Sequence, residues 1–127
     1  MTKIGTISWV DLTVPDAGGL RDFYRDVTGW ESVGLDMGGY EDYCMNVAGT
    51  DQTVAGICHS RGNNAGLPQQ WMIYINVADL DASLEKVRSG GGEVLTPVRT
   101  MPGSGKYAFI RDPAGAACGL FEPENKE

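Results

Sequence analysis

An internal repeat constrains this chain more than any other feature. Shifting the 127-residue sequence by 63 positions lays Val14-Pro15-Asp16 on Val77-Ala78-Asp79 and Gly29 on Gly92. The same shift lays Val54-Ala55-Gly56-Ile57 on Ala117-Cys118-Gly119-Leu120. One further residue of offset brings Tyr43 onto Tyr107 and Met45 onto Phe109. Two periods fill nearly the whole length, so the sequence reads as two copies of one module. The length allows a single domain over 1–127, with module one at about 1–60, a connector at about 60–70 and module two at about 71–123.

Each copy reads as strand, helix, then three strands. In the first, Ile4 to Val14 is rich in β-branched and apolar residues, as a strand requires. Pro15-Asp16 breaks it and supplies a helix N-cap. Leu20, Phe23, Tyr24 and Val27 recur at helical spacing, which predicts an amphipathic helix over Ala17 to Thr28 that stops at Gly29. Glu31 to Leu35, Tyr43 to Val47 and Thr53 to Cys58 are predicted strands between glycine-containing turns. In the second copy, Met72 to Val77 is a strand and Asp81 to Ser89 a helix ended by Gly90-Gly91-Gly92. Glu93 to Val98, Tyr107 to Arg111 and Ala117 to Phe121 complete it as strands, and polar Ser60 to Gln70 is the connector.

The expected class is therefore α+β: two tandem βαβββ modules with one helix on a single face of each sheet. The other face must meet something apolar or enclose a cavity. Strand alternation puts Ile7, Trp9 and Asp11 on one face of the first strand. It groups Met72, Tyr74 and Asn76 on the fifth, and Ala117, Gly119 and Phe121 on the eighth.

Composition narrows the partners. Ten Lys and Arg against 17 Asp and Glu give a net charge of −7. Nucleic acid and anionic membranes are disfavoured, because phosphate binding rests on a basic footprint. No apolar run approaches the ~18 residues of a membrane span, and Met1 to Pro15 lacks the basic and then apolar pattern of a secretory leader. Cys44, Cys58 and Cys118 make an odd count without CxxC spacing, as expected of free thiols in a reducing, cytoplasmic setting. Glycine, at 18 residues, is about twice its usual share, and many glycines stand where the repeat ends a helix or turns a hairpin.

Four stretches carry a family likeness: Ile7-Ser8-Trp9-Val10-Asp11-Leu12-Thr13-Val14-Pro15-Asp16, the helical Leu20 to Tyr24 with Gly29-Trp30 beyond it, Tyr74-Ile75-Asn76-Val77-Ala78-Asp79-Leu80-Asp81, and Phe109-Ile110-Arg111-Asp112-Pro113-Ala114-Gly115. In this order, and with the repeat, the chain resembles the vicinal oxygen chelate superfamily, which includes glyoxalase I, bleomycin-resistance proteins and extradiol dioxygenases. The resemblance implies curved mixed sheets around a substrate cavity, one helix on the outer face of each, and a homodimer. The catalytic branches bind a divalent metal through His, Gln or Glu on four strands. Those positions fall here on Trp9, Gly56, Met72 and Gly119. An indole, a thioether and two glycines offer no donor suited to a hard or borderline ion, so neither a metal nor another cofactor is expected.

The candidate ligand-binding residues are Trp9, Asp11, Tyr43, Met45, Met72, Tyr74, Asn76, Lys106 and Tyr107. They form an apolar and aromatic set with a few polar groups, the usual makeup of a small-molecule site. Trp71 and Phe109 share that character, and core packing is the competing role for each apolar member. Asp11 is the one carboxylate well inside an apolar strand. It has two readings: a catalytic base or acceptor for ligand, with Arg111, Lys106, Tyr74 or Asn76 as partners, or a structural hydrogen bond.

Gly103-Ser104-Gly105-Lys106 falls short of a phosphate loop, because Thr100 takes the first Gly position and a strand follows instead of a helix. Lys106 is kept as a candidate for an anionic ligand at a cavity mouth. Cys58 and His59 are neighbours on a strand and point to opposite faces, which argues against a Cys/His nucleophilic pair and places His59 at the surface. Asp16 and Asp79 are expected as N-caps, and Glu122, Glu124 and Glu127 as a solvated tail. The expected function is that of a metal-free glyoxalase- or bleomycin-resistance-like protein binding a small apolar or aromatic molecule. The alternative is a lyase, isomerase or dioxygenase, metal-dependent or using Asp11 as base.

Overall fold

The computed structural model describes residues 3–124. Among them are nine strands and two α-helices: β1 (Ile7–Val14), α1 (Ala17–Thr28), β2 (Glu31–Asp36), β3 (Glu41–Asn46), β4 (Thr53–His59), β5 (Trp71–Asn76), α2 (Leu80–Ser89), β6 (Glu93–Val94), β7 (Arg99–Met101), β8 (Gly105–Arg111) and β9 (Ala117–Pro123). The connector holds a short 3-10 turn at Gly62–Asn64. The class is α+β, as the repeat predicts. The chain divides into two compact units, one of residues 10–71 and one of residues 3–9 with 72–124.

In the 10–71 unit, β1 runs parallel to β4, and β3 pairs antiparallel with both β4 and β2. Helix α1 packs on one face of this mixed sheet. Asp16 caps it by accepting a 3.0 Å hydrogen bond from the Gly19 amide, while Gly29 ends it at φ 80°. That left-handed geometry is what glycine supplies without strain. Beneath the helix, Leu12, Val14, Ala17, Met45, Ala55 and Ile57 form a buried cluster, with Tyr24, Trp30, Tyr43 and Trp71 packed around it. The Trp71 indole donates to the Tyr24 hydroxyl at 3.0 Å, satisfying its one polar atom.

The second unit repeats the arrangement. β5 runs parallel to β9, β9 is antiparallel to β8, and β8 also pairs with β6 and β7. Asp79 caps α2 through the Ala82 amide at 3.1 Å, the counterpart of Asp16. Leu80, Leu84, Ala108, Ile110 and Leu120 are buried between α2 and the sheet. Here Glu122 departs from the expected solvated tail. It lies within β9 and accepts the Leu80 amide at 2.8 Å, tying the first turn of α2 to the sheet. Glu124 is exposed, and Glu127 lies outside the described residues.

Register tests the repeat residue by residue. The parallel ladders pair Asp11 with Gly56 and Tyr74 with Gly119, so the 63-residue offset holds along β1/β5 and β4/β9. It does not hold along β3/β8. Tyr43 faces Ile57 and Ala108 faces Leu120, so Tyr43 corresponds to Ala108 and Cys44 to Phe109. The expected match of Tyr43 with Tyr107 and Met45 with Phe109 is thus one residue short, and one residue of slip turns a side chain to the other face.

The source of the extra residue is visible upstream. The expected strand Glu93 to Val98 is cut to Glu93-Val94. The Phe109 amide donates to the Thr96 hydroxyl at 3.1 Å instead of to a backbone carbonyl, and Pro97 beyond it has no N–H with which to resume the ladder. The chain resumes pairing only at β7, which the sequence reading did not separate.

Candidate functional site

The helix-free face of the 72–124 sheet carries a cluster of rings. Tyr74 on β5 and Tyr107 and Phe109 on β8 meet pairwise, with centroids 5.5–6.4 Å apart. Glycine makes this possible. A Cβ at Gly119 would stand 2.9 Å from Tyr74 Cδ2 and 3.3 Å from Phe109, so the bare backbone lets the Tyr74 ring lie down on β9. At Gly105 (φ 151°) an added Cβ would collide with the β9 backbone, at the Glu122 carbonyl and at Pro123 Cα (2.9 Å), and would also stand 3.0 Å from Phe121 Cζ.

Polar groups edge the cluster. Asn76 is 1% exposed and accepts from the Ser8 hydroxyl at 2.9 Å, while its backbone N–H donates to Thr6 at 2.9 Å. Met72 is fully buried and Trp9 half-buried in the same unit. Arg99 on β7 is the register partner of Tyr107. Its Nη1 is shielded from solvent and makes no hydrogen bond among the described residues.

The helix-free face of the 10–71 sheet is polar instead. Asp42, 4% exposed, accepts the His59 amide at 2.8 Å. Cys58 lies against Asp42. Burial first, and then the Asp11 and Asp42 carboxylates, push its thiol far above the ordinary range, so it is a neutral thiol and a poor nucleophile. Half-buried Asp11 belongs to this group and acts electrostatically on Cys58.

His59 is not the surface residue expected at a strand end. Its side chain is 18% exposed and stands between the rings of Tyr40 (5.6 Å) and Tyr43 (6.2 Å). Its Nδ1 lies 3.4 Å from Asp42 Oδ1 without hydrogen-bond geometry.

Several residues grouped in the sequence reading are separated here. Tyr43 and Met45 lie on the α1 side of their sheet, and Met45 is fully buried there. Lys106 alternates with Tyr107 along β8 and so lies on the α2 side. There it sits 3.9 Å from Asp81 and 4.0 Å from Glu122, beside a small open cleft of about 150 Å³ lined by Thr100, Gly105, Glu122 and Glu124. Two carboxylates already balance that ammonium. Tyr74, Tyr107, Met72 and Asn76 remain on one sheet face, joined by Phe109, Phe121 and Arg99. Arg99 is a site residue that the sequence does not single out, because β7 carries no strand pattern of its own. Phe121 lies on an expected strand face but ends it, where burial is hard to read.

The four positions at which the resemblance implies metal ligands do not fit such an ion. Trp9, Gly56, Met72 and Gly119 lack suitable donors. At Gly119 the space a ligating side chain would need is filled by the Tyr74 ring. No group of three or more His, Cys, Asp or Glu converges elsewhere among the described residues.

Residues 6–118 match the Glyoxalase/Bleomycin resistance protein/Dioxygenase superfamily, and the chain belongs to that family. Among its relatives is "Putative glyoxylase CFP32" of Mycobacterium bovis, 37% identical over 122 residues, covering 93% of this chain and 46% of that protein. The anthracycline biosynthesis protein DnrV of Streptomyces peucetius is 32% identical over 128 residues, covering 92% and 46% respectively. The chain therefore spans about half the length of these curated relatives. A solved structure of methylmalonyl-CoA epimerase from Mycobacterium tuberculosis shares the fold at TM-score 0.58 and 22% identity, covering 98% of this chain and 93% of that one.

Proposed function

We propose that this chain binds a small apolar or aromatic molecule on the helix-free face of the 72–124 sheet, without a resident metal. The observation that carries the reading is the Tyr74 ring seated on Gly119. It occupies the place of a ligating side chain and, with Tyr107 and Phe109, makes an aromatic surface edged by Asn76 and Arg99. Such a surface suits a flat apolar body, held by ring contacts and oriented by a few polar groups. Cys44, Cys58 and Cys118 all stand as free thiols, which supports a reducing, cytoplasmic setting. Val33 and Leu35, each about half exposed on β2, support association of two copies.

Calorimetric titration with neutral 2-naphthamide tests the binding reading. Tyr74→Ala and Tyr107→Ala are each expected to weaken binding about three- to tenfold. Unchanged affinity in both variants sinks it. Thermal melting with Ni, Zn, Mn and Fe(II) salts tests the metal part, and a midpoint that rises with stoichiometric metal would overturn it.

A further inference from the structure

We propose that the ligand of the aromatic face carries a carboxylate and that Arg99 receives it, an inference resting on the binding reading above. β7 pairs with β8 so that Arg99 lies opposite Tyr107, which puts its side chain on the same face as the Tyr74, Tyr107 and Phe109 rings. Its Nη1 is closed off from solvent, yet no hydrogen bond reaches it among the described residues. Arg99 as a whole is half-buried. A guanidinium cannot shed its charge, and one of its nitrogens held away from solvent with no acceptor carries a cost that a facing anion removes.

The chain has carboxylates to spare, 17 against ten basic side chains, and still places none in ion-pairing reach of Arg99 among the described residues. The cations of neighbouring β8 are engaged. Lys106 sits between Asp81 and Glu122 on the opposite face, and Arg111 Nη1 donates to the Gly115 carbonyl at 2.9 Å.

Among the described residues no group partners Arg99 Nη1, which leaves it open to an anion carried by a ligand. The planar fork of a guanidinium matches a carboxylate. The neighbouring rings accept the flat apolar body to which that carboxylate is attached. The ligand class is a small aromatic or branched apolar monocarboxylate.

Calorimetry with an isosteric pair of probes, 2-naphthoate and 2-naphthamide, tests the assignment. The unaltered protein is expected to prefer the naphthoate by about tenfold or more, the yield of one charge-assisted contact. Arg99→Met is expected to erase that preference, with naphthoate affinity falling about tenfold or more further than naphthamide affinity. With the unpaired charge gone, its ligand-free melting temperature should equal or exceed that of the parent. Arg99→Lys keeps the charge without the fork and should weaken naphthoate more than naphthamide, which decides the matter if the Met variant fails to fold.

Equal affinity of the parent for both probes overturns the carboxylate assignment and leaves the binding reading standing. Binding of neither probe overturns both. A folded Arg99→Met variant that melts lower and loses both probes alike makes Arg99 a structural residue and also overturns the assignment.

Discussion

Gly56 and Gly119 stand at the same place in the two parallel ladders, opposite Asp11 in one and Tyr74 in the other. Asp11 joins Asp42 and Cys58 on a polar face, and Tyr74 joins Tyr107 and Phe109 on an aromatic one. Gly119→Ala would drive a methyl into the Tyr74 ring, so its effect reads out in ring position before it reads out in stability. On the polar face, Cys58 provides a stability test. Burial together with Asp11 and Asp42 holds its folded thiol above the ordinary value of 9.0. In the unfolded chain the thiol ionises near that value, so from there upward the unfolded state binds fewer protons than the folded one and stability falls. The contribution is fully present below pH 9 and is lost above it by about 1.4 kcal/mol per pH unit. Urea unfolding between pH 8 and 10.5 should show that slope in the parent and a shallower one in Cys58→Ala. Parallel slopes would refute the burial argument.

Among the elements, the helices were the most legible in sequence. Asp16 and Asp79 announce α1 and α2, and both accept the amide three residues on. Asp16→Ala and Asp79→Ala should each cost about 1 kcal/mol in chemical denaturation, and a change below measurement in both would show that tertiary packing alone sets these helix starts. Strand parity was harder to read. Along β3 the sequence offers Tyr43 and Met45 as matches for Tyr107 and Phe109, yet the ladders put the first pair under α1 and the second on the open face. An aromatic residue reads the same in sequence whichever face it takes, and nothing in the residues counts the second extra position along β8. Arg99 escaped notice for the same reason, since a three-residue strand has no alternation to detect. Glu122 looked like a solvated acid because its partner, the Leu80 amide, is 42 residues away in sequence.

For the whole molecule the dominant electrostatic fact is the net charge of −7. A carboxylate ligand approaches against that field and is held by one local cation. Salt should therefore act in the reverse of the usual sense. Raising ionic strength from 0.01 to 0.15 M shortens the screening length from about 30 to 8 Å. It relieves the long-range repulsion while weakening a close, half-buried pair at Arg99 far less. Stopped-flow association of 2-naphthoate should speed up over that range, whereas a falling rate would place the anion at an exposed basic group instead. The sequence by itself determined the repeat, the α+β class, both helix caps and the absence of suitable donors at the four family positions, because each depends on local residue chemistry or on periodicity. Only the tertiary structure decided which rings share a face, that Tyr74 lies on Gly119, and that Arg99 Nη1 has no partner among the described residues. Those facts depend on register between strands far apart in the chain, where one residue of offset reverses the direction of every side chain.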